Sequence, residues 1–240
     1  MKETGNIIMH IPARAGSKRV KTKNLRLIAG EPLLAYTVKA ALQSLYRENV
    51  YVNTDSEAMA QLARELGAKV YKRPAELASD TATSDQYNMD IIEKLQPDTL
   101  VQINPVCPLL EASDINNIIE VYKESDVDTL ITTTSTQMQC FYRGGPINID
   151  LGVQLVPTQQ NDPVHICNWA VTVWDAAKFR ERYRQKGFAV FGEKRMLYPI
   201  HPLKAIKIST EEDFAFAGSL LEQSKTGGQM SATEPRYWEI

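Results

Sequence analysis

Residues 6–26 read NIIMHIPARAGSKRVKTKNLR, a short apolar run followed at once by a loop rich in basic and small residues. The run from Asn6 to Ile11 is typical of a buried strand. In open α/β sheets, ligands bind beyond the carboxyl ends of the strands. The sequence therefore predicts a ligand site in the loop that follows this first strand.

Positive charge is concentrated in this loop. The 240 residues include 27 basic and 29 acidic side chains, which gives a formal net charge of −2. The remainder of the chain outside the loop carries 21 basic and 29 acidic residues, a net charge of −8. General binding to nucleic acid or to a membrane surface is therefore not expected, whereas a local anion site is. Six basic residues lie within thirteen positions that hold no acid: Arg14, Lys18, Arg19, Lys21, Lys23 and Arg26.

Cysteine usage and hydropathy favour a cytoplasmic protein. Cys107, Cys140 and Cys167 form no CxxC pair, and an odd number cannot close a full set of disulfides, which favours a reducing compartment. The apolar run near the first residues is too short and too interrupted for a signal peptide. No stretch approaches the roughly 18 to 20 apolar residues that a membrane helix needs.

Strand-like and helix-like segments alternate after the basic loop. Pro32 suits a first helical turn, because the N–H that it lacks is unpaired there anyway. Thr54 or Asp55 can cap the second helix, and Gly67 can end it. Regular alternation predicts βαβ units and a mostly parallel sheet. The predicted strands cover residues 50–53, 69–71, 100–103 and 129–132, and the predicted helices cover 32–45, 56–66, 84–95 and 111–124.

The pattern changes after residue 134. Residues 135–167 are rich in Gln, Gly, Pro and Asn, and they include the β-prone piece Val153–Val156, which predicts an inserted element of hairpins or loops. Ser209 with Glu212, or Thr210 with Asp213, can form a capping box. We expect one domain over residues 1–222 and a flexible tail over 223–240. The later elements are predicted as a strand over 169–174, a helix over 175–185, a last strand over 205–208 and a helix from about residue 211.

The basic loop has the chemistry of a phosphate site. Ala15, Gly16 and Ser17 are small, so backbone N–H groups can approach phosphate oxygens closely. Lysines and arginines beside them would neutralise a triphosphate and the charge that builds as pyrophosphate leaves. The glycine spacing fits neither a Walker A loop nor a GxGxxG turn. The alternative is a basic loop that is merely solvated.

Four blocks of sequence resemble the cytidylyltransferases that activate nonulosonic acids with CMP, the synthetases for CMP-sialic, CMP-legionaminic and CMP-pseudaminic acids. The blocks are IPARAGSKRVKTKNLRLIAGEPLL at 11–34, RPAELASDTATS at 73–84, ASDI at 112–115 and STEEDF at 209–214. The resemblance implies a Rossmann-like three-layer αβα fold of the nucleotide-diphosphosugar-transferase type. It also implies an inserted element that pairs two subunits into a homodimer, and a reaction that uses CTP and Mg²⁺.

The resemblance assigns roles to individual residues. Arg14 matches an arginine that contacts the triphosphate, and Lys23 a lysine that stabilises the charge of departing pyrophosphate. Arg73 falls where the family holds cytosine and ribose, since an arginine with nearby carbonyls supplies the donor and acceptor that cytosine needs. A surface ion pair is the alternative for Arg73. The further nucleotide-binding positions that the resemblance implies are Ala13, Gly16, Ser17, Lys18, Asn24, Ala82 and Ser84.

One departure from the family falls at its metal site. The family usually has Asp-Ile-Asp before the fourth block, and these carboxylates hold the magnesium ion. This chain has Lys207, Ile208 and Ser209 instead. A hard cation such as Mg²⁺ prefers carboxylate oxygens, and this segment supplies none. The residues that would hold the metal ion are therefore unknown. Either Lys207 replaces part of the electrostatic role of the metal, or other carboxylates hold it, or turnover is weak.

Two further departures fall on the acceptor side. Where the family has Gln-Pro-Thr-Ser-Pro-Leu-Arg, this chain has Asn104 first and Leu110 last. Where the family has Arg-Pro-Asn-Gly-Ala, Ile166 replaces the arginine, Asn168 is retained and Trp169 replaces the glycine. Two lost arginines imply that the acid group of the acceptor is held differently or that the acceptor differs. The candidate acceptor-binding residues are Asn104, Asn168, Tyr198 and His201.

These observations support two hypotheses. The first is a nucleotidyltransferase that transfers CMP from CTP to a small acidic acceptor, either a nonulosonic acid or a smaller carboxylate or phosphonate. Catalysis would come from positioning and charge stabilisation rather than from a covalent intermediate. The second is a catalytically impaired homologue that binds nucleotide and serves a regulatory or scaffolding role, which the loss of the acidic pair motivates.

Overall fold

The computed structural model of this chain describes residues 4–16, 20 and 22–225. In chain order the strands are β1 (Ile7–Pro12), β2 (Leu27–Ile28), β3 (Glu31–Pro32), β4 (Val50–Thr54), β5 (Lys69–Lys72), β6 (Thr99–Ile103), β7 (Thr129–Thr136), β8 (Phe141–Tyr142), β9 (Gly145–Pro146), β10 (Val164–Asp175) and β11 (Arg195–Pro199). The α-helices are α1 (Leu33–Leu42), α2 (Glu57–Glu65), α3 (Ser84–Leu95), α4 (Ala112–Glu124), α5 (Ala176–Lys186) and α6 (Glu211–Lys225).

Seven strands form one sheet in the order β11-β7-β10-β6-β1-β4-β5. β1 pairs in parallel with β4 and β6, β4 with β5, and β7 with β11. β10 runs antiparallel between β6 and β7. The mostly parallel sheet predicted from the alternation of segments is therefore confirmed. The carboxyl ends of β1, β4 and β6 meet at one edge, where a ligand site is expected.

Helices cover both faces of this sheet, because the central strands are apolar on both sides. Met9 and Ile11 of β1 pack in one core cluster with Leu34 of α1 and with residues of α2 and α4. Ile8 points to the other face and packs with Ile91 of α3 and with Phe179 of α5. The result is the three-layer αβα arrangement that the resemblance implied.

The beginning of α2 corrects the predicted cap. The side chain of Ser56 accepts a hydrogen bond from the backbone N–H of Met59, so Ser56 is the N-cap. Thr54 is the last residue of β4, and Asp55 accepts a hydrogen bond from the backbone of the basic loop. The Asp55 carboxylate, a candidate helix cap in the sequence, therefore links the end of β4 to the basic loop instead.

The end of the sheet also differs from the sequence prediction. Residues 205–208 form a turn and an extended segment rather than a strand, and the edge strand of the sheet is β11, which the sequence analysis missed. Exposed and half-buried residues alternate along β11, and Pro199 ends it, so it lacks the apolar run of a central strand. Thr210 and Asp213 form the capping box of α6. α6 extends to Lys225, three residues into the predicted tail.

The segment from residue 137 to residue 163, which we call the arm, leaves the sheet between β7 and β10. Its only regular strands are the two-residue pair β8 and β9, and Val153–Val156 is irregular, contrary to its predicted β character. Asn148 closes the arm by donating to the carbonyls of Met138 and Asp162 at 2.9 and 3.0 Å. Asn161 donates to the carbonyl of Gln137 at 2.9 Å.

Within the described residues, no helix combines the length and the apolar character needed to cross a bilayer.

Candidate active site

The site begins where β1 and β4 end side by side. The backbone N–H of Ala13 donates to the carbonyl of Asn53 at 2.9 Å, which continues the parallel pairing past β1. Two residues later, the N–H of Ala15 donates to the Asp55 carboxylate at 2.9 Å. These bonds hold the first residues of the basic loop against the end of β4. At Gly16, which follows, a Cβ atom would meet no atom of the described residues within 4 Å.

Arg73 is a buried guanidinium fixed in one orientation. Its Nε donates to Asn53 Oδ1 at 2.8 Å and its Nη2 to the Asn53 carbonyl at 3.0 Å. Its guanidinium carbon lies 4.7 Å from the ring centroid of Tyr87 on α3. Burial lowers the pKa of Arg73, and the nearby Arg14 lowers it further. Because arginine stays protonated in proteins, the result is a positive charge held ready for a polar or anionic partner.

Arg14 is the more exposed of the two guanidiniums. It forms an ion pair with Asp80 at 2.8 Å and donates to the carbonyls of Ala78 and Ser79 at 3.3 and 3.0 Å. These partners belong to the loop that precedes α3. The basic loop and the loop before α3 are therefore joined across the mouth of the site by one arginine.

The two arginines line a cleft of about 290 Å³, which we call the guanidinium cleft. Ala82, Asn104 and Gln102 contribute to its walls. The cleft is polar, open to solvent and situated at the carboxyl ends of β1, β4 and β6. Its lining residues are Pro12, Arg14, Arg73, Leu77, Ser79, Asp80, Ala82, Tyr87, Gln102, Asn104 and Pro105.

A second cavity of about 530 Å³ adjoins this cleft, and we call it the aromatic cavity. Tyr87 and Gln102 line both spaces and form the wall between them. Asp85 is the charged residue of the aromatic cavity, and its carboxylate accepts hydrogen bonds from the backbone of Ala189 and Val190. No lysine or arginine of the described chain lines it. The lining residues are Ser84, Asp85, Tyr87, Gln102, Trp169, Trp174, Phe188, Val190 and Phe191.

Trp169 adopts an unusual backbone conformation in this cavity. Its φ is +60°, in the left-handed region that favours glycine, and it lies in the irregularity of β10 between Cys167 and Thr172. The bend turns its ring onto Phe191, with the ring centroids 5.3 Å apart in an edge-to-face arrangement. Position 169, where the family resemblance predicts a glycine, thus has a backbone conformation that favours glycine but carries the largest side chain.

Next to the guanidinium cleft, on the side of β6, lies a group of residues that we call the positive corner: Lys23, Asn24, Lys207 and Asp213. Lys23 begins a short 3₁₀ turn with Asn24, and its Nζ donates to the carbonyl of Ile208 at 2.8 Å. The N–H of Ile208 donates to the carbonyl of Val106 at 2.9 Å, two residues after Asn104. Burial raises the pKa of Cys107 to about 12, and the ammonium groups of Lys207 and Lys23 oppose that rise. Cys107 is therefore an inert buried thiol beside two positive charges.

Buried polar atoms without hydrogen-bond partners lie beneath the wall between the two spaces. His10 is fully buried in β1, with its ring centroid 6.2 Å from that of Tyr87. Burial lowers the pKa of His10 to about 3, and the positive charge of Arg73 contributes to this. The side chain of Asn88 opposes this shift. Among the described residues, both nitrogens of the His10 ring and the Oε1 of Gln102 have no partner with hydrogen-bond geometry. Such groups are normally satisfied, so they favour a site that receives water or ligand.

The structure brings several predicted residues together and separates others. Arg14, Arg73, Ala82 and Asn104 line the guanidinium cleft, with Ala13 beneath it, and Ser84 lines the aromatic cavity. Lys23 and Asn24 lie in the positive corner. Ser17 and Lys18 lie outside the described residues. Sequence reasoning missed the residues that build the shared wall and the aromatic cavity, namely Tyr87, Gln102, Phe188 and Phe191.

Three of the four predicted acceptor residues lie away from both spaces. Asn168 accepts from the Thr132 hydroxyl and from the N–H of Ala170 at 2.8 and 3.0 Å, so it stabilises the bend of β10. The Tyr198 hydroxyl accepts from Asn117 on α4, on the opposite face of the sheet. His201 is exposed and lines a separate groove between α1 and α6.

The donor set does not fit a divalent cation held by the protein. No cluster of three or more His, Cys, Asp or Glu side chains with metal-binding geometry occurs in the described part of the chain. The carboxylate in the positive corner is Asp213, whose Oδ2 already accepts from the N–H groups of Ser209 and Thr210. Hard cations of this kind need several oxygen ligands. A metal ion at this site would depend on oxygens supplied by a bound ligand or by water.

The chain belongs to the cytidylyltransferase family, whose model matches residues 8–222. The match covers the guanidinium cleft, the aromatic cavity and the positive corner.

Curated relatives support this assignment. The chain is 40% identical over 123 residues to the CMP-N,N'-diacetyllegionaminic acid synthase of Legionella pneumophila, covering 49% of this chain and 53% of that protein. It is 27% identical over 229 residues to the post-translational flagellin modification protein B of Campylobacter coli, covering 90% and 95%. It is 39% identical over 120 residues to the N-acylneuraminate cytidylyltransferase of Escherichia coli, covering 49% and 28%. The matched segment is thus about half or less of two of these three proteins.

Solved structures share the fold at low identity. A CMP:2-keto-3-deoxy-manno-octonic acid synthetase complexed with CTP superposes with a TM-score of 0.68 at 15% identity, covering 91% of this chain and 99% of that one. The 4-diphosphocytidyl-2C-methyl-D-erythritol synthase of Anaerococcus prevotii gives a TM-score of 0.65 at 16% identity, covering 92% and 100%.

Proposed function

We propose that this protein transfers CMP from CTP to a small acidic acceptor and releases pyrophosphate. One observation carries the proposal: in a member of the cytidylyltransferase family, the buried guanidinium of Arg73 and the exposed guanidinium of Arg14 line one cleft at the carboxyl ends of the central strands. Legionaminic and acylneuraminic acids, after which its relatives are named, are the acceptors to test first.

The reaction balances without a covalent enzyme intermediate. An oxygen of the acceptor attacks the α-phosphorus of CTP, and the bond from that phosphorus to the bridging oxygen of the β-phosphate breaks. The acceptor proton passes to solvent or to the departing pyrophosphate. In this proposal Arg73 binds the cytidine end, Arg14 leaves Asp80 to bind the triphosphate, and Lys23 stabilises the departing pyrophosphate. Positioning and charge stabilisation then supply the catalysis.

We place the acceptor across the shared wall, with its reacting oxygen near Asn104 and its body in the aromatic cavity. Gln102 has an unpartnered carbonyl oxygen that can accept from a hydroxyl or amide of the acceptor. The rings of Trp169, Phe188 and Phe191 provide apolar surface for the remainder of the molecule. Mg²⁺ stays a prediction, as an ion bound to the triphosphate.

Pyrophosphate release tests the proposal directly. The protein would be incubated with CTP, Mg²⁺ and, one at a time, N-acetylneuraminic acid, diacetyllegionaminic acid, the eight-carbon keto-deoxy-octonic acid and a small phosphonate. We expect release with one of these acids and loss of release in Arg14→Met. Arg64→Met is the matched control, because Arg64 pairs with Glu57 on the surface of α2. Absence of release with every acid would contradict the proposal.

Lys207 in place of a carboxylate favours a second candidate, a nucleotide-binding homologue without turnover. Calorimetry separates the two, since tight CTP binding without pyrophosphate release supports the homologue and efficient release removes it. Activity that appears only in the double variant Lys207→Asp, Ser209→Asp would also support it.

The arm is the proposed dimer contact, in a protein that we propose to act in the cytoplasm. Seven of its large apolar side chains are more than half exposed: Met138, Phe141, Tyr142, Ile147, Leu151, Val153 and Leu155. A monomer seldom exposes so many together. We expect sedimentation equilibrium to give a dimer, and Leu151→Glu, Leu155→Glu to give a monomer. Leu45→Glu, at a leucine that is 76% exposed outside the arm, is the control.

A further inference from the structure

The segment from residue 207 to residue 209 lies between two loops of the site. On one side Lys23 donates to the carbonyl of Ile208 at 2.8 Å. On the other side the N–H of Ile208 donates to Val106, whose own N–H donates to Asn104 Oδ1 at 3.4 Å. Asn104 lines the guanidinium cleft. Lys207 is therefore carried by a segment that is hydrogen bonded to the basic loop and, through Val106, to the wall of the cleft.

The ammonium group of Lys207 is exposed and unpaired within the described part of the chain. Its side chain has neither a hydrogen bond nor an ion pair there, whereas Lys204, three residues earlier, pairs with Glu111 at 2.6 Å. Lys207 precedes Ile208 in the chain, and Lys23 donates to the carbonyl of Ile208, so both lysines are tied to the same short segment. Both ammonium groups also oppose the rise that burial causes in the pKa of Cys107.

The carboxylates around this corner already have partners. Asp213 caps α6, Glu211 pairs with Arg26 at 2.5 Å, and Asp80 pairs with Arg14. Two ammonium groups carry the charge of one divalent cation, and lysine binds phosphate as a compact point charge. The corner therefore has the charge that a metal ion would bring, but the described residues supply no oxygen cluster to hold one.

We propose that Lys207 and Lys23 bind the triphosphate of CTP as a pair and take the place of a divalent cation held by protein carboxylates. Any Mg²⁺ in the complex is then held by phosphate oxygens and water. The proposal rests on the proposed function for the nucleotide, but it requires neither a known acceptor nor turnover.

Calorimetry with CTP and with CMP tests the role of Lys207, because CMP lacks the β- and γ-phosphates. We expect Lys207→Met to weaken CTP binding about ten- to hundredfold and to leave CMP binding unchanged, since a charge-assisted hydrogen bond contributes on that scale. Lys207→Arg keeps most of the CTP affinity. Lys204→Met is the matched control and binds CTP as the wild type does. Equal CTP affinity in Lys207→Met and the wild type would overturn the proposal.

Manganese provides the second arm of the test. We expect no binding of Mn²⁺ alone to the nucleotide-free wild-type protein in electron paramagnetic resonance titrations up to millimolar metal. A Mn²⁺ site in the absence of nucleotide means that carboxylates of this chain hold the metal, which contradicts the inference while leaving the proposed function intact. A wild-type protein that binds neither CTP nor CMP, with Mg²⁺ or with EDTA, removes the proposed function itself.

Discussion

The guanidinium cleft and the aromatic cavity share Tyr87 and Gln102, but their other walls are held by different forces. In the cleft, Arg73 is fixed by two charge-assisted hydrogen bonds to Asn53. In the cavity, Trp169 is held by ring packing against Phe191 at the cost of a left-handed backbone. Charged hydrogen bonds define one orientation, whereas apolar packing tolerates related shapes. Under the proposed function, we therefore expect the guanidinium cleft to be selective for one nucleotide and the aromatic cavity to tolerate changes of acceptor.

The largest expected effect is the loss of stability when Arg73, which lines the guanidinium cleft, is replaced. Arg73→Met removes two hydrogen bonds, leaves the buried Oδ1 of Asn53 without its arginine partner and leaves the Asn53 carbonyl with the N–H of Ala13, so we expect the free energy of unfolding to fall by about 3 kcal/mol. Urea denaturation measures it. Arg73→Lys keeps the charge but loses the planar fork, and it should recover only part of the loss. A stable Arg73→Met protein would show that this wall is not held by the guanidinium.

The burial of His10 beneath the shared wall predicts that the stability of the protein depends on pH. Its folded pKa of about 3 lies below the unfolded value near 6.5, so the unfolded chain binds more protons between these pH values. Stability is therefore lost as pH falls below 6.5, by about 2 kcal/mol at pH 5 for this group alone. Urea denaturation at pH 7 and pH 5 should give a smaller loss in His10→Asn. The same loss in both proteins would contradict neutral burial of His10.

Two substitutions of Trp169 separate strain from packing in the aromatic cavity. Trp169→Ala and Trp169→Gly both remove the ring, but only glycine relieves the left-handed backbone. We expect the glycine variant to be more stable than the alanine variant by about 1 kcal/mol in thermal or urea unfolding. The two variants should bind CTP with equal affinity. Equal stability would mean that the bend of β10 carries no strain.

The smallest expected effect concerns the exposed ion pair between Arg14 and Asp80 at the mouth of the guanidinium cleft. Asp80→Asn breaks the ion pair that holds Arg14 away from the proposed triphosphate position, and such exposed pairs contribute at most about 1 kcal/mol. CTP affinity measured by calorimetry should therefore rise about two- to fourfold. Weaker CTP binding in this variant would indicate that Asp80 helps to position Arg14 instead.

The central strands were predictable because each is a short apolar run between turns or helices. The three-layer fold followed from local sequence blocks and their resemblance, and Arg14 and Arg73, which that resemblance singled out, line one cleft. β11 was not predictable in the same way, because an edge strand buries one side only and its residues alternate in exposure. The predicted strand over 205–208 failed for the opposite reason: Ile208 is fully buried but pairs with a loop rather than a strand.

The aromatic cavity was beyond local sequence reasoning. Phe188 and Phe191 follow α5, Tyr87 lies on α3 and Gln102 on β6, so they meet only because β10 runs beside β6. Trp169 was identified as a departure in the acceptor region, but its left-handed backbone has no signature in the sequence. Tyr198 was expected near the acceptor, yet β11 lies at the far edge of the sheet and directs it toward α4.

β10 joins the arm to the aromatic cavity in one continuous piece of chain. Its first residues, from Val164 to Cys167, pair with the end of β7 at the base of the arm, and its later residues form the floor of the site. Between them lies the bend that carries Trp169. The residues that close the base of the arm and the residue that bends over the aromatic cavity are therefore near neighbours on one strand. If the arm makes the proposed subunit contact, we expect a change of that contact to alter the shape of the aromatic cavity.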